Sequence, residues 1–534
     1  MKNILQNKIK SVPKKVWILL GIIILGIFLR TYNFHDWLQM KSDQIRDAIL
    51  VRDVITGRTP WPLLGPTVDG TGADKLYNLG PIYYYFQIIS AKIFGDYPDK
   101  LAYPDLLFSI LSIPLMYFFL KRYFSENLSL ALTGLYSISF FAIQYSRFAW
   151  NPNSIPFFAL LLLLTLHEFL IKKEKTTWFW IVMMGFALGV GVQLHGITLA
   201  LFASISFLVF VFLIKKNAKI WKKIAIVIFI ALVLNTGQWL SEIKTNFSNS
   251  KILLNYIFKS GSQVNKKNNF LNSIEKGIDC QVEVNAYMMS SLGSDSCSLN
   301  FIKLVDDEKS KSFRADIKNP FFLAGLAASF FFSLLGYIFL FYNCKNEKDK
   351  EKRYFLRLVA LYLAISFLIL LAGGHFSFRY FICAFFAPLL FLGFFINYLF
   401  NKFHRIHKEL IILLLLLAGI ANIMSLGRAA GELSEKGKTG YNADFMVQIE
   451  PLASYLIANA DGQKKVYLDG DFAIMHISFP LKYFLERQRV ELIKIPQDSH
   501  NYPDGVSVFY LSNKAPKDID YEKIGQIYVF KIKN

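Results

Sequence analysis

Cysteine is scarce, with four in 534 residues, and no two stand in a CxxC spacing, so the sequence encodes no cysteine-rich metal site. Acid is scarce too, 39 Asp and Glu against 59 Lys and Arg, for a net charge of +20. The lysines nevertheless lie in short tracts between apolar runs, with no basic helix face and no RNA-binding motif, which points away from nucleic acid. No internal repeat recurs at a fixed period, so a repeat array is excluded, and no low-complexity tract stands out beyond the lysine runs. What is abundant is apolar surface: 54% hydrophobic and 16% aromatic residues, 51 of them Phe. Such a chain has lipid for most of its solvent and is read as a polytopic membrane protein.

A window of about 19 residues predicts roughly eleven spans, beginning near Val16, Leu101, Leu128, Ser154, Thr177, Ile197, Ile224, Pro320, Tyr354, Arg379 and Leu410. Lys2, Lys8, Lys10, Lys14 and Lys15 precede the first span without an acid, which predicts a cytoplasmic N-terminus. No small-residue cleavage site follows that apolar run, so it reads as an uncleaved helix. The connections at 121–122, 172–175, 215–223, 345–353 and 402–408 are then cytoplasmic, and all are basic. The alternate connections at 145–153, 193–195 and 373–378 hold aromatic, amide and histidine side chains with one arginine among them. The register agrees throughout, and it predicts a multi-pass protein of the cell membrane.

In that register residues 1–426 form a transmembrane domain with a first outer loop at 34–100 and a large polar outer loop at 241–319. Residues 427–534 follow the last span. They combine an amphipathic helix at 445–460 with β-like runs at 465–468, 506–511 and 526–531, which predicts a small α/β extracytoplasmic domain. Of the cysteines, Cys280 and Cys297 share the large outer loop and are the pair that could form a lasting disulfide. The loop they would close, of about 17 residues, makes such a bond worth about 3 kcal/mol in the chain-entropy picture.

The outer loop 36–81 carries the acids Asp36, Asp43, Asp47, Asp53, Asp69 and Asp74. Long polar loops between spans usually carry function. Asp43 follows the first span closely, within KSDQIRDAI, where an interfacial helix would set Asp43 and Asp47 on one face beside Arg46. Further along come LGPIYYYF at 79–86, YPDLLFSILSIPLMYFFLKRYF at 103–124 and SRFAWNPNSIPFF at 146–158.

In order and sidedness these segments resemble glycosyltransferase family 39 of the GT-C membrane glycosyltransferases, the branch of protein O-mannosyltransferases and of the lipid A aminoarabinose transferase. The likeness covers about the first 200 residues. Ser42-Asp43-Gln44 stands where the family commonly has an Asp-Glu pair, and LGPIYYYF is similar to its lysine-Pro-Pro-Leu-Tyr-Tyr segment. Two departures matter. The family's lysine would fall at Leu79, so its phosphate-binding role either moves to Lys75, Arg46 or Arg52 or is absent, and the second acid is replaced by Asn151 or Asn153. An amide binds a sugar hydroxyl but holds no charge, so a two-carboxylate site is in doubt and a divalent cation stays an open cofactor; no metal ligand is assigned.

The resemblance implies a mainly α GT-C fold and a sugar donor linked to polyprenyl phosphate, with the sugar at the outer interface and the lipid in the bilayer. The acceptor is left as lipid, glycan or protein. In an inverting transfer a carboxylate takes the acceptor hydroxyl proton, and Asp43 is the expected base. The leaving phosphate needs positive charge, for which Arg147, Arg379, His375 and His195 are the outer candidates. Arg379, in GGHFSFRYF, is preferred because a guanidinium grips phosphate through two parallel bonds; the plainer role is snorkelling to head groups. Gln193 with His195, and Asn151 with Asn153, are expected to line a sugar pocket, Trp150 to stack on a sugar ring, and Tyr83 to Tyr85 to line a lipid groove or form an interfacial belt. Two other functions fit a polytopic chain: a polymerase or ligase of lipid-linked glycans, and a transporter or flippase. The last predicts ionisable residues near the bilayer midplane, and here they gather at span ends.

Overall fold

Apolar runs bounded by lysines have no partner for their backbone polar groups in lipid except themselves, and so they become helices. The computed structural model describes residues 13–68, 77–255, 270–290, 297, 320–373, 376–402, 407–434, 444–460, 464–471, 474–496, 507–517 and 519–533. In chain order the principal helices are α1 (Lys14–Thr31), α2 (Ser42–Ile55), α3 (Ile82–Phe94), α4 (Tyr103–Leu120), α5 (Glu126–Ser137), α6 (Ile155–Lys172), α7 (Trp178–Leu194), α8 (Gly196–Lys216), α9 (Trp221–Leu234) and α10 (Thr236–Lys244). They continue with α11 (Phe270–Ser290), α12 (Pro320–Asn346), α13 (Lys350–Gly373), α14 (Ala387–Lys402), α15 (His407–Ser434), α16 (Met446–Ala458) and α17 (Ser478–Arg487).

Every span expected from hydropathy falls on a helix, and the fold is a mainly α membrane bundle. By length and composition five of the described helices can cross a membrane, or seven if two bent pairs each count as one span. The eleven expected spans therefore outnumber the helices that meet this measure. Helix α5 has 12 residues and α7 has 17, short of the roughly 20 that a bilayer core requires. Exposed Phe28, Phe207, Phe229, Phe331 and Leu416 give the bundle an apolar outer surface suited to lipid. The charge at the end of α1 is turned inward: buried Arg30 donates to Ser109 Oγ at 2.9 Å and to the Ser137 carbonyl at 2.8 Å.

The segment expected as a large polar loop contains a helix that is packed in the bundle. In α11 every residue from Gln281 to Met288 is buried. Its polar groups are matched: Asn285 Nδ2 donates to Ser333 Oγ at 3.0 Å and the Tyr287 hydroxyl to Gln144 Oε1 at 2.8 Å. A hydropathy average misses such a helix because its amides and acids cancel its valines. Cys280 and Cys297 form a disulfide that ties α11 to the chain beyond it, while Cys344 and Cys383 are free.

After α15 comes a five-stranded sheet. Strands β3 (Lys465–Gly470), β4 (Glu491–Lys494), β5 (Ser507–Ser512), β6 (Glu522–Ile524) and β7 (Ile527–Lys533) lie in the order β4-β3-β5-β7-β6, the first three parallel and the rest antiparallel. A small hairpin of β1 (Thr67–Val68) and β2 (Tyr77–Asn78) precedes α3. The sheet and its helices do not have a core to themselves. Ile45, Ala48 and Val51 of α2 and Tyr84 and Ile88 of α3 are buried in one cluster with Met446, Ile449, Leu481, Phe509 and Val529.

This shared core carries an ionic seam. His35 Nε2 lies 3.0 Å from Glu450 and Nδ1 3.5 Å from Asp99, with the Tyr97 ring stacked on the imidazole and Lys100 paired to Asp99. Partial burial opposes the charge on His35, but the bond to Glu450 and the field of Asp99 outweigh it and raise its pKa. A raised histidine stabilises the fold fully below its unfolded pKa of about 6.5, and the contribution fades as pH climbs through the folded value. Wild type and His35→Gln should thus differ in melting temperature at pH 5.5 and converge by pH 9; a gap independent of pH would refute the charged pairing.

Candidate functional site

The chemistry-bearing residues gather at one end of the bundle, where four short segments meet. The first is the N-terminal turn of α2. Lys41 and Gln44 form its cap, the Lys41 backbone N–H donating to Gln44 Oε1 at 2.9 Å, while Gln44 Nε2 donates to the Ala149 carbonyl at 3.0 Å. Asp43 sits on this turn, about half exposed, 3.0 Å from Arg46. The expected face of Asp43, Arg46 and Asp47 is present, since Arg46 also lies 2.8 Å from Asp47. Asp47 differs from Asp43 in being buried. It accepts from the Tyr84 hydroxyl at 3.2 Å, and burial, against the pull of Arg46, pushes it up to about 6.

The second segment is LGPIYYYF. Gly80 lies against Gln193 so closely that a Cβ there would overlap the Gln193 amide, and the Ile82 N–H donates to Gln193 Oε1 at 3.2 Å. Glycine is required here by proximity, since no side chain fits. Gln193 is anchored in turn through Nε2 to the Gly189 and Leu234 carbonyls at 2.8 and 3.0 Å. Tyr83 corrects the expectation of a groove-lining ring: it is fully buried, and its hydroxyl donates to Asp105 Oδ2 at 2.7 Å.

The third segment runs from Arg147 to Ser154. Buried Asp105 at the head of α4 collects it, accepting from the Trp150 N–H at 3.1 Å and from Ser154 Oγ at 2.7 Å besides Tyr83. Nothing in the sequence singled out Asp105; an acid one residue after Tyr-Pro at a span start was the available signal. Arg147 is turned away from an open surface, its Nη2 donating to the Leu29 and Tyr32 carbonyls at 2.8 and 2.6 Å over the Trp37 ring. It closes the C-terminal end of α1, where carbonyls have no helical partner. Asn151 Nδ2 is bonded to the Leu194 carbonyl and Asn153 Nδ2 to the Phe148 carbonyl.

His195 and Arg379 supply the fourth. His195 caps α8, its Nδ1 accepting from the Ile197 N–H at 3.2 Å. The Tyr380 ring lies 5.4 Å from the imidazole, and the exposed Arg379 guanidinium covers Tyr380 at 5.2 Å. Burial and the positive charge of Arg379 push His195 down to about 4, so with no anion beside it the imidazole is neutral at pH 7. Asp43 and Arg379 flank the 145–153 loop, one through Gln44 on Ala149 and the other through Phe378 on Tyr145 at 5.8 Å. No bond joins the two among the described residues. Lys75 and His375 lie outside the described residues.

No group of three His, Cys, Asp or Glu side chains converges among the described residues. Among the described residues of α2 the acid beside Asp43 is Asp47, and the Arg46 guanidinium already stands between the two. That donor set does not fit a two-carboxylate cation site, and no step below is routed through a metal. A groove of about 440 Å³ lies instead between α12 and α14, lined by Tyr342, Asn343, Phe394, Tyr398 and Lys402, at the far end of α14 from Arg379.

The sequence model described as dolichyl-phosphate-mannose-protein mannosyltransferase matches residues 78–239, which hold LGPIYYYF, Asp105, the Asn-Pro loop and His195. The fold is similar to ArnT from Cupriavidus metallidurans bound to undecaprenyl phosphate, with TM-score 0.50, 12% identity and 97% of each chain covered. The chain has the fold of the GT-C membrane glycosyltransferases. The GT-C likeness extends to the oligosaccharyltransferase AglB from Archaeoglobus fulgidus, in complex with an inhibitory peptide and a dolichol-phosphate. There the TM-score is 0.50 and identity 13%, over 93% of this chain and 69% of that one. At such identities the structural likeness speaks for the GT-C fold alone. Comparison with curated proteins gave no match.

Proposed function

We propose that this GT-C protein moves a monosaccharide from a polyprenyl-phosphate donor to an acceptor hydroxyl at the outer face of the cell membrane, with inversion and with Asp43 as base. The reading is carried by one observation: an exposed carboxylate on an interfacial helix and an exposed guanidinium stacked on Tyr380 flank one loop at the same end of a GT-C bundle. The acceptor oxygen bonds to the anomeric carbon and its proton passes to Asp43. The bond from that carbon to the phosphate oxygen breaks, and polyprenyl phosphate leaves with its charge matched by Arg379. His195, neutral, and Tyr380 position the Arg379 side chain, while Arg46 steadies Asp43. The cytoplasmic N-terminus follows from the basic tracts, and residues 427–534 then form an extracytoplasmic domain. The polyprenyl phosphates bound by the two similar structures favour a donor of this kind.

The test is an assay with a panel of labelled undecaprenyl-phosphate hexoses and pentoses, presented with native membrane extract as acceptor source. Appearance of label in acceptor supports the reading; label that crosses vesicles with its donor bond intact would mean a flippase. Arg379→Lys keeps the charge and loses the planar fork. We expect donor KM to rise about tenfold, the scale of one charge-assisted bond; an unchanged KM would leave Arg379 with head-group contact only.

A further inference from the structure

We propose that residues 444–450 position helix α2 for catalysis, so that the C-terminal domain is a working part of the site and not a cover over it. This rests on the reading of Asp43 given above. The stretch that leads into α2 meets the start of α16 in a single antiparallel bridge. The Met40 N–H donates to the Asp444 carbonyl at 2.7 Å and the Met446 N–H to the Leu38 carbonyl at 3.0 Å, with Gln39 opposite Phe445. Asp444 and Glu450 add side-chain ties, Asp444 lying 3.9 Å from Lys41 and 3.1 Å from His476, while Glu450 accepts from Tyr97 and lies 3.0 Å from His35.

The other end of α2 is held as well. Arg52 lies 3.4 Å from Glu486 of α17 and covers the Tyr483 ring at 5.4 Å. Between these ties the apolar face of α2 is buried in the shared cluster, packed on α17 and α3, while Asp43 and Arg46 stay about half exposed. A one-ångström misplacement of a catalytic group costs up to about a hundredfold in rate. A helix tied at both ends by that domain therefore takes part of its position from it, the rest coming from α3 and the Ala149 loop. Donor binding, by contrast, depends on Arg379, which α2 does not touch among the described residues. Loosening the clamp should change turnover more than donor affinity, which makes Glu450 a positioning residue.

The experiment uses the full chain in lipid nanodiscs and the donor panel above. Glu450→Ala should lower kcat about tenfold or more with donor KM within about twofold. Amide exchange over residues 42–52 should quicken by about the same factor, while exchange in the bundle stays as in wild type. Gln39 and Phe445 form a non-hydrogen-bonded antiparallel pair, whose Cα separation of roughly 4.5 Å admits a disulfide. Adding Gln39→Cys with Phe445→Cys to Glu450→Ala should restore both kcat and protection, and reductant should abolish the rescue, with reductant-treated wild type as reference. Glu450→Gln, which still accepts from Tyr97, should fall between. Unchanged exchange at 42–52 in Glu450→Ala, or a rate loss that persists once the disulfide has formed, would overturn the proposal. If wild type transfers no sugar at all, the Asp43 reading fails; the exchange result then separately reports whether the clamp orders α2.

Discussion

Asp43→Asn should reduce sugar transfer by about 10² to 10⁴, the usual contribution of a positioned general base. The variant keeps the size and shape of the side chain, and the residue it replaces is half exposed with Arg46 as its ion-pair partner. Surface pairs of this kind contribute about 0 to 1 kcal/mol, so the melting temperature should stay within a degree or two of wild type. A rate loss without a stability loss is the signature of a group that meets the reacting atoms. Turnover near the wild-type value in a folded Asp43→Asn protein would remove the aspartate from the mechanism. Asp47→Asn is the useful companion. Its carboxylate is buried and tied to Arg46 and Tyr84, so it should shift the melting temperature more than Asp43→Asn does, with a smaller effect on turnover.

Asp105→Ala should be the most destabilising single change at this end of the bundle. Three donors lose their acceptor together: the Tyr83 hydroxyl, Ser154 Oγ and the Trp150 N–H, all around a fully buried carboxylate. A buried donor left without a partner costs about 1 to 3 kcal/mol, so the loss should reach about 3 kcal/mol or more. Because Trp150 and Ser154 bracket the Asn-Pro turn, amide exchange over residues 147–154 should rise with it. Asp105→Asn retains one oxygen but turns an N–H toward the donors, and it should lie between wild type and Asp105→Ala. A melting temperature unchanged in Asp105→Ala would mean that the loop is held by the aromatic stack of Phe148 and Trp150 and not by the carboxylate.

The contrast between the two aspartates shows what a sequence reveals about a site. Asp43 stood out as a candidate because it follows a hydrophobic span closely in a polar loop. Asp105 did not, because its importance lies in partners 22, 45 and 49 residues away. Tyr83 and Arg147 looked like surface ligands for the same reason: an aromatic or basic residue at a span end reads as interfacial until its hydrogen-bond partners are known.

By itself the sequence determined the membrane class, the position of the long apolar helices, a helix with Asp43 and Asp47 on one face beside Arg46, and the strand-rich tail. Those follow from composition and short-range periodicity, which act within a few residues. Only the tertiary structure decided that α11 is packed inside the bundle, that His195 meets Arg379 through Tyr380, and that the first loop shares its core with the C-terminal sheet. Each of these depends on which buried surfaces and which orphaned polar groups find one another across hundreds of residues, and neither hydropathy nor local propensity carries that information.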